Sequence, residues 1–441
     1  MNRNYDDPKR IYISVQQKFW ISHAAASLWM LFSIGVSMPW LRDFAGFVSL
    51  PVAILIIAGI SYIPGYMNAF MVVSLLLDRQ PPLPEGSPER PVTVLIACHN
   101  EERGIRTTLA YLGEQEYSGH LKVIVIDNNC SDQTAERAKA AGRELGLDLL
   151  VIEENTPGKN HALNAALNLV ETELMITLDA DTLLHKLAIK HIVSRMEAAP
   201  PDVCAVAGAV LVRNSRHNFW AKLQEWDYFL GIASIKRLQG MFQGTLVAQG
   251  AFSLYKTEAV RAVQGWPDAI GEDIVLTWKF LAQRWRVYFE PLAVAFTDVP
   301  ESFRHLVRQR SRWARGMIEA LKMLKPWNHP SVYAKYLTGC NLLMPYLDLV
   351  YTFCWLPGLV LAFFGIYWIV GPATLLVLPL TFFQNFILYR YQKKVFRSLH
   401  LRIRKNLFGF VAYVLLYQMV MSPVSVYGYV QEALQRKRIW K

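Results

Sequence analysis

The sequence predicts an α/β domain, a mostly parallel sheet with flanking helices, inserted between transmembrane α-helices. Three observations carry this expectation. Long stretches lack Asp, Glu, Lys and Arg altogether: Phe19 to Trp40, Phe44 to Leu77 and Leu407 to Val430 have none, and Tyr336 to Tyr389 has only Asp348. The middle of the chain, Asp78 to Lys335, holds most of the charge and alternates short apolar runs with amphipathic segments. Several of those runs end in acid or amide residues.

A helix that crosses a bilayer needs about 20 apolar residues. The uncharged blocks therefore predict two spans before the middle and about three after it. Core helices seldom run so long without a charge, and 53% hydrophobic residues over 441 is apolar for a soluble protein. No small-residue cleavage site closes the first block, which reads as an uncleaved anchor. Arg3, Lys9, Arg10 and Lys18 mark the N-terminal tail, and with it the middle, as cytoplasmic. The expected home is a multi-pass position in the inner (plasma) membrane. The expected layout is a tail over 1–16, two spans over 17–78, a cytoplasmic α/β domain over 79–300, amphipathic interfacial helices over 301–335, about three spans over 336–430 and a basic tail over 431–441. One conflict stands. The basic loop Arg390 to Lys405 and the basic tail Arg436 to Lys441 lie one full span apart. Either the tail breaks the positive-inside rule, or Pro423 marks a re-entrant segment, or the count is off by one.

The net charge is +11. Its basic residues cluster beside the apolar blocks, which fits topology and contact with anionic membrane lipid. A nucleic-acid partner would call for a basic stripe on a recognition fold. The five cysteines lack metal-ligand spacing and read as free thiols.

Within the middle, VTVLIACHN (Val92 to Asn100) is a strand ending in polar residues, and EERGIRTTLAYLGEQ has helical character. LKVIVIDNN is a second strand, and SDQTAERAKAAGREL a helix that Ser131 could cap. LDLLVIEE, GKNHALNAALNLV and LMITLDAD continue the alternation. Strand and helix in turn predict βαβ units, and continuously apolar strands predict helices on both faces.

Ligands bind beyond the carboxyl ends of such strands. Three strands end there in Asn100-Glu101, in Asp127-Asn128 and in Asp179-Ala180-Asp181. If the last stays extended, its two carboxylates point to one side and repel unless a cation sits between them. Mg²⁺ or Mn²⁺, shared with a substrate's phosphates, would fit; a solvated Asp-rich turn fits the pair alone equally well. TPGKN puts Lys159 in a turn at a helix start, suited to a diphosphate or simply exposed. No GxGxxG follows the first strand and no GxxxxGK[ST] occurs, which argues against dinucleotide oxidoreductases and P-loop NTPases.

HNEE (from His99), DNNCSD (from Asp127), PGKNHALNAAL, LDAD, GEDIVLTW (from Gly271) and QRSRW (from Gln309) occur in this order. Together, over about Pro91 to Arg315, they resemble the membrane-integrated processive family 2 glycosyltransferases, which include cellulose, chitin, hyaluronan and poly-N-acetylglucosamine synthases. The resemblance implies a GT-A fold, a nucleotide-sugar donor and a divalent metal. It implies that Asn100, Glu101 and Asp127 lie at the nucleotide, that Lys159 and Arg312 lie near the diphosphate, and that Asp179 contacts the donor and, with Asp181, the metal. Asp273 would be the general base with Glu272 its neighbour, and Gly250, Gln309 and Trp313 would lie on the acceptor side. Two motifs depart from the common pattern: DNNCS replaces Asp-Asp-Gly-Ser, leaving one firm carboxylate, and Gly271 replaces a Thr before Glu-Asp.

The residues support this chemistry independently. Glycosyl transfer needs a base for the acceptor hydroxyl, positive charge at the leaving diphosphate and an acceptor held in line. Asp273 and Glu272 open an amphipathic helix, whose dipole favours a carboxylate there; alone they would merely stabilise that helix. Ser302 to Leu324 has Arg304, Arg308, Arg312 and Arg315 at helical spacing, as in an interfacial helix. Arg304 and Arg308 fit lipid headgroups, whereas Arg312 beside Trp313 fits a diphosphate and a sugar face. Trp313 also fits a membrane-interface anchor. Trp226 and Tyr228 fit either a polymer path or core. The expected activity is inverting transfer from a UDP-sugar, N-acetylglucosamine by analogy of size, to a growing β-linked polysaccharide, with export through the membrane helices and room for small membrane or export partner subunits. The alternatives are single-sugar transfer to a lipid carrier, a synthase of another polymer, and a transporter. A transporter needs ionisable groups within its spans, and Asp348 is the only one.

Overall fold

The computed structural model describes residues 13–371 and 377–436. Arg3, Lys9, Arg10, residues 437–441 of the basic tail and 372–376 of the late apolar block lie outside them. The chain divides into two compact units, residues 1–79 and 80–441.

In the first unit, Val15–Ala45 is one helix, opened by a capping box in which Gln17 N donates to Ser14 Oγ and Ser14 N to Gln17 Oε1. Leu50–Ile57, a π-helical turn Ala58–Tyr62 and Ile63–Leu77 follow without a break. Ser22 meets Ser74 at 2.8 Å and Ser37 meets Tyr62 at 2.6 Å, so the two rods pack along their length through small polar pairs.

In the second unit, β1 (Val92–Cys98), β2 (Leu121–Asn128), β3 (Asp148–Glu154) and β4 (Leu174–Leu178) are parallel. With β5 (Leu183–Leu184), β6 (Val203–Val212), β7 (Phe252–Lys256) and β8 (Arg286–Thr297) they form one sheet in the order β3-β2-β1-β4-β7-β6-β8-β5. Helices Ile105–Gly113, Thr134–Glu144, Lys159–Leu167 and Ala188–Glu197 complete the crossovers. β4 and nearly all of β1 and β6 are buried, the reason those strands read as unbroken apolar runs. β7 is antiparallel to β4. Its start therefore comes to the edge where β1 to β4 end, and Asp179 N donates to Ala251 O at 3.2 Å.

Two local expectations change. Ser131 does not cap the second helix, which starts at Thr134; its N–H and hydroxyl both donate to Asn100 Oδ1. Asp179 and Asp181 are not extended: β4 ends at Leu178, and Thr182 N closes a turn onto Asp179 O at 3.0 Å.

Lys222 to Arg237 lies in a continuous rod made of Phe219–Trp226, a π-helical turn Asp227–Ile232 and Ala233–Met241. The QRSRW segment lies on Phe303–Met323, capped by Ser302. Among the described residues four rods are long and apolar enough to cross a membrane: Val15–Ala45, Leu50–Leu77, Val332–Phe363 and Leu407–Ala433. Between the last two lies Val377–Ser398, whose second half carries Arg390, Lys393, Lys394 and Arg397.

One buried ion pair ties the helix Ala188–Glu197 to β8. Arg195 Nε meets Glu290 Oε2 at 2.6 Å and its Nη2 donates to Pro81 O at 2.9 Å, with Glu290 only 1% exposed. Removing one partner strands a buried charge, at a cost of about 3–5 kcal/mol. Glu290→Ala is therefore expected to lower the thermal unfolding midpoint of the solubilised protein by several degrees. An unchanged midpoint would show that the pair does not hold this layer.

Candidate active site

The predicted acids and amides converge on the carboxyl edge of the sheet. The HNEE and DNNCSD segments are knitted together. Asn100, at φ +58°, offers its N–H to Cys130 Sγ at 3.2 Å and its carbonyl oxygen to Ser131 N at 2.8 Å. Glu101 N donates to Thr134 Oγ1 and Glu102 N to Asp132 Oδ2. Asp127 Oδ1 accepts from Cys130 N at 2.9 Å, which folds the loop back over the end of β2. Asn128, where the related motif has a second Asp, is fully buried. Its amide donates to Glu154 O and Thr156 O and accepts from Gly158 N, so it holds the TPGKN turn against the sheet. A carboxylate could not make those two donations.

That turn delivers Lys159. Its ammonium sits 2.5 Å from Asp179 Oδ1 and 3.9 Å from Glu272 Oε1. A Cβ on Gly250 would lie 2.6 Å from Lys159 Nζ, so the space above Gly250 is occupied by this ammonium and not left open for a sugar. Burial alone would lower the Lys159 pKa; Asp179 and then Glu272 outweigh it, and the net shift is upward.

Among the described residues Asp181 receives Thr182 Oγ1 and Thr297 Oγ1 alone, at 3.3 and 3.4 Å. Desolvation by the surrounding cleft, then the charges of Asp179 and Glu101, push its carboxyl up to about 6, although the residue itself is exposed. Lys159 neutralises Asp179, which leaves Asp181 as the carboxylate whose charge the protein meets least.

Across the cleft, Glu272 and Asp273 form the first turn of the helix Glu272–Ala282. Asp273 Oδ1 accepts from Ile274 N at 2.8 Å and its Oδ2 from Gly250 N at 3.4 Å. Burial, then Asp273, push Glu272 up to about 7, against the opposing charges of Lys159 and Arg312. The charge of Arg312, on the QRSRW helix, is thus felt at Glu272. Gly271 explains its own departure from the family pattern. A Cβ there would lie 3.0 Å from Gly316 Cα, and one on Gly316 would lie 2.9 Å from Gly271 Cα. Two glycines let the two helices touch backbone to backbone. Ile270 N donates to Glu319 Oε2 at 2.6 Å beside that contact.

Gln309 is half-buried, its Oε1 without a hydrogen-bond partner among the described residues, and Trp313 is 42% exposed. Trp226 is core: its indole N–H donates to Asn406 O and it packs on Phe229 and Phe410. Tyr228 is buried too, but beside Trp313 at 6.5 Å between rings. Sequence reasoning missed several groups here. Arg310 sits inside QRSRW, three residues before Trp313, and that helical spacing was the available signal. Its buried partner Asp227 and the buried Lys236 carried none. Lys236 Nζ donates to Val247 O at 2.6 Å; burial lowers its pKa to about 8, against the pull of Asp273.

A mixed sheet with acidic residues massed at the carboxyl ends of its parallel strands is the GT-A glycosyltransferase fold. A solved mannosyltransferase from Pyrobaculum calidifontis, in complex with GDP-Man and Mn²⁺, matches it with a TM-score of 0.60 at 19% identity, over 87% of this chain and 99% of that one. Residues 88–316, just over half the sequence, match the model of glycosyltransferase like family 2, and the chain belongs to that family. It is related to poly-β-1,6-N-acetyl-D-glucosamine synthases: 33% identical over 231 residues to that of Staphylococcus aureus, strain COL, covering 52% of this chain and 55% of the relative. To that of Staphylococcus epidermidis it is 31% identical over 249 residues, 56% and 58% of the two chains. The chain thus spans about half the length of the curated relatives it matches.

The Glu272 carboxyl has a pH consequence. Its folded-state pKa of about 7 lies above the ordinary 4.5, so the folded chain holds more proton than the unfolded one between those values. Its contribution to stability is complete below about 4.5 and is lost as pH rises through about 7. Glu272→Gln, which stays neutral, should match the wild type near pH 4 and exceed it by roughly 1 kcal/mol or more near pH 8. Unfolding midpoints at the two pH values check this; equal midpoints at pH 8 would refute it.

Proposed function

We propose that the chain is an inverting, metal-dependent and processive polysaccharide synthase. It transfers N-acetylglucosamine from UDP-N-acetylglucosamine to the end of a growing β-linked chain at the cytoplasmic face of the inner membrane. The observation that carries this reading is the meeting at one sheet edge of Lys159–Asp179, Asp181, Glu272–Asp273 and Arg312, the last brought in by the helix that also carries Trp313. The kinship to poly-β-1,6-N-acetyl-D-glucosamine synthases supports the choice of sugar.

On this reading Asn100, Glu101 and Asp127 line the nucleotide, and Lys159 and Arg312 face the diphosphate. Asp181, together with Asp179, would hold Mg²⁺ or Mn²⁺. The donor set fits such a cation: hard oxygens, one carboxylate with little protein charge to offset it, and no cage of three or more His, Cys, Asp or Glu among the described residues, as expected where phosphates and water complete the shell. Bound there, the metal would offset charge on the leaving diphosphate. Asp273 takes the proton of the acceptor hydroxyl. That oxygen bonds to the anomeric carbon from the face opposite the diphosphate, the bond to the diphosphate oxygen breaks, and configuration inverts. Gly250 N steadies Asp273 Oδ2. Gln309 and Trp313 border the acceptor.

The topology follows the same reading. Asn406, just before the last helix, bonds to Lys222 O and Glu225; beyond its end, Arg436 O accepts from Arg315. Both flanks, Asn406 and Arg436, are thus tied to the charged middle of the chain, which supports placing the two on its side, with the last helix lying along the membrane face and not across it, and relieves the conflict with the positive-inside rule. The polymer leaves through the membrane helices, with or without small partner subunits.

A donor screen with product sizing tests the whole reading. UDP-N-acetylglucosamine should give UDP and long chains; one-sugar products would favour transfer to a lipid carrier. Chelation should stop turnover, with Mg²⁺ or Mn²⁺ restoring it. Asp273→Asn should keep donor binding while transfer falls by about 10²-fold or more. Near-normal turnover in that variant removes Asp273 as the base.

Trp313 separates processive from single-addition chemistry. A stacked indole contributes on the order of 1 kcal/mol, enough to change residence several-fold. Trp313→Ala should shorten the product while donor hydrolysis survives. An unchanged length distribution from folded protein would make Trp313 an interface anchor.

A further inference from the structure

Beside Trp313 lies a charged group that the proposed chemistry does not use. Arg310, 8% exposed, covers the Trp313 ring with its guanidinium carbon 4.1 Å from the ring centroid. Arg310 Nη2 donates to Asp227 Oδ2 at 2.8 Å, and the Tyr417 hydroxyl donates to the same oxygen at 2.6 Å. Asp227 and Tyr417 are as buried as Arg310. The three residues come from three elements: the π-helical turn Asp227–Ile232, the QRSRW helix and the last apolar helix, Leu407–Ala433.

The surroundings are built for this junction. The π turn begins at Asp227, and such turns insert a residue and re-aim the side chains around them. A Cβ on Gly231, in the same turn, would lie 2.9 Å from the Tyr413 hydroxyl and 3.0 Å from Asp227 Oδ1, so only glycine admits the last helix this closely. Farther along, a Cβ on Gly428 would lie 2.6 Å from Ser311 O, and Glu432 takes Lys322 at 2.7 Å and Arg315 at 3.4 Å. The last helix thus packs on the π turn at Gly231 and on the QRSRW helix at Ser311, Arg315 and Lys322.

A buried arginine costs solvation that its partners must return. Hydrophobic residues would pack the same space without that cost. What a guanidinium adds is a flat cation fixed by its carboxylate, and such a cation orients an aromatic ring through the ring's quadrupole.

We propose that Arg310, locked by Asp227 and Tyr417, is a positioning residue that sets the orientation of Trp313, and that the last apolar helix thereby controls how the enzyme holds its acceptor. This rests on the reading of Trp313 as the acceptor contact. Of the proposed donor contacts, Asn100, Glu101, Asp127 and Lys159 lie on other elements than the triad.

The test uses the full chain in detergent or nanodiscs, with wild type, Arg310→Lys and Tyr417→Phe at matched amounts of folded protein. Lysine keeps the charge but not the planar fork, and phenylalanine keeps the ring of Tyr417 but not its donor. UDP release and chain length from UDP-N-acetylglucosamine are read together. The expected result is product shortened several-fold in both variants, with the donor KM within twofold of wild type. Wild-type chain length in folded Arg310→Lys overturns the proposal, as does a loss of UDP release at unchanged chain length. A wild type that makes no chains defeats the processive reading instead. The orientation of the Trp313 ring in cryo-EM maps of wild type and Arg310→Lys then decides: a rotated or disordered ring supports positioning, and an unmoved ring refutes it.

Discussion

The cleft depends on one ammonium group. Asp179, Asp181, Glu272 and Asp273 crowd a small volume at the edge of the sheet, and like charges so close resist ionising together. Lys159 answers two of them, at 2.5 Å from Asp179 and 3.9 Å from Glu272. Its position follows from the backbone around it. Gly250 leaves the space that Nζ fills, and Asn128 fixes the turn from which the side chain departs. The residual imbalance falls on Asp181 and Glu272, whose carboxyls are both raised. A diphosphate with its metal would redistribute this charge, drawing Lys159 toward phosphate and leaving the cation to the acids.

The second constraint is mechanical. On the proposed reading, the helices that carry Asp273 and Trp313 must keep register to a fraction of an ångström if an acceptor hydroxyl is to meet both a carboxylate and an anomeric carbon. Side chains between two helices would permit rotamer slack. Here the contact is backbone on backbone, Gly271 against Gly316, with Glu319 accepting from Ile270 N beside it. The glycine that looked like a weakened motif in the sequence is the residue that allows this approach.

Much of the fold was legible because β1, β4 and the middle of β2 are buried and these strands end in polar clusters, as at Ala97 to Asn100 and Leu178 to Asp181. β7 was not legible as an antiparallel partner, since FSLYK alone says nothing of direction; β4 beside it decides that. Ser131 misled because a serine before a helix usually caps it, whereas Asn100, far away in sequence, claims both its donors. Asn128 read as a lost carboxylate because burial cannot be read from a loop motif. The candidate site was legible where chemistry is local to a motif, as at Lys159, Asp179 and Asp273. Asp227 and Tyr417 escaped because they are separated by 190 residues and meet only when three helices pack.

The neighbouring acids Glu272 and Asp273 show how position divides two similar groups. Both lie in the first turn of one helix, so the helix dipole favours ionisation of each about equally. Their hydrogen bonds differ. Asp273 receives two backbone N–H groups, from Ile274 at 2.8 Å and from Gly250 at 3.4 Å. Glu272 faces Lys159 at 3.9 Å, beyond hydrogen-bond distance, and is raised to about 7 by its burial. Near neutrality Glu272 therefore retains a share of proton. A group that still holds a proton is the poorer candidate to take one from an acceptor hydroxyl. The proposal of Asp273 as the base thus has, beside its motif, the raised carboxyl of its neighbour in its favour.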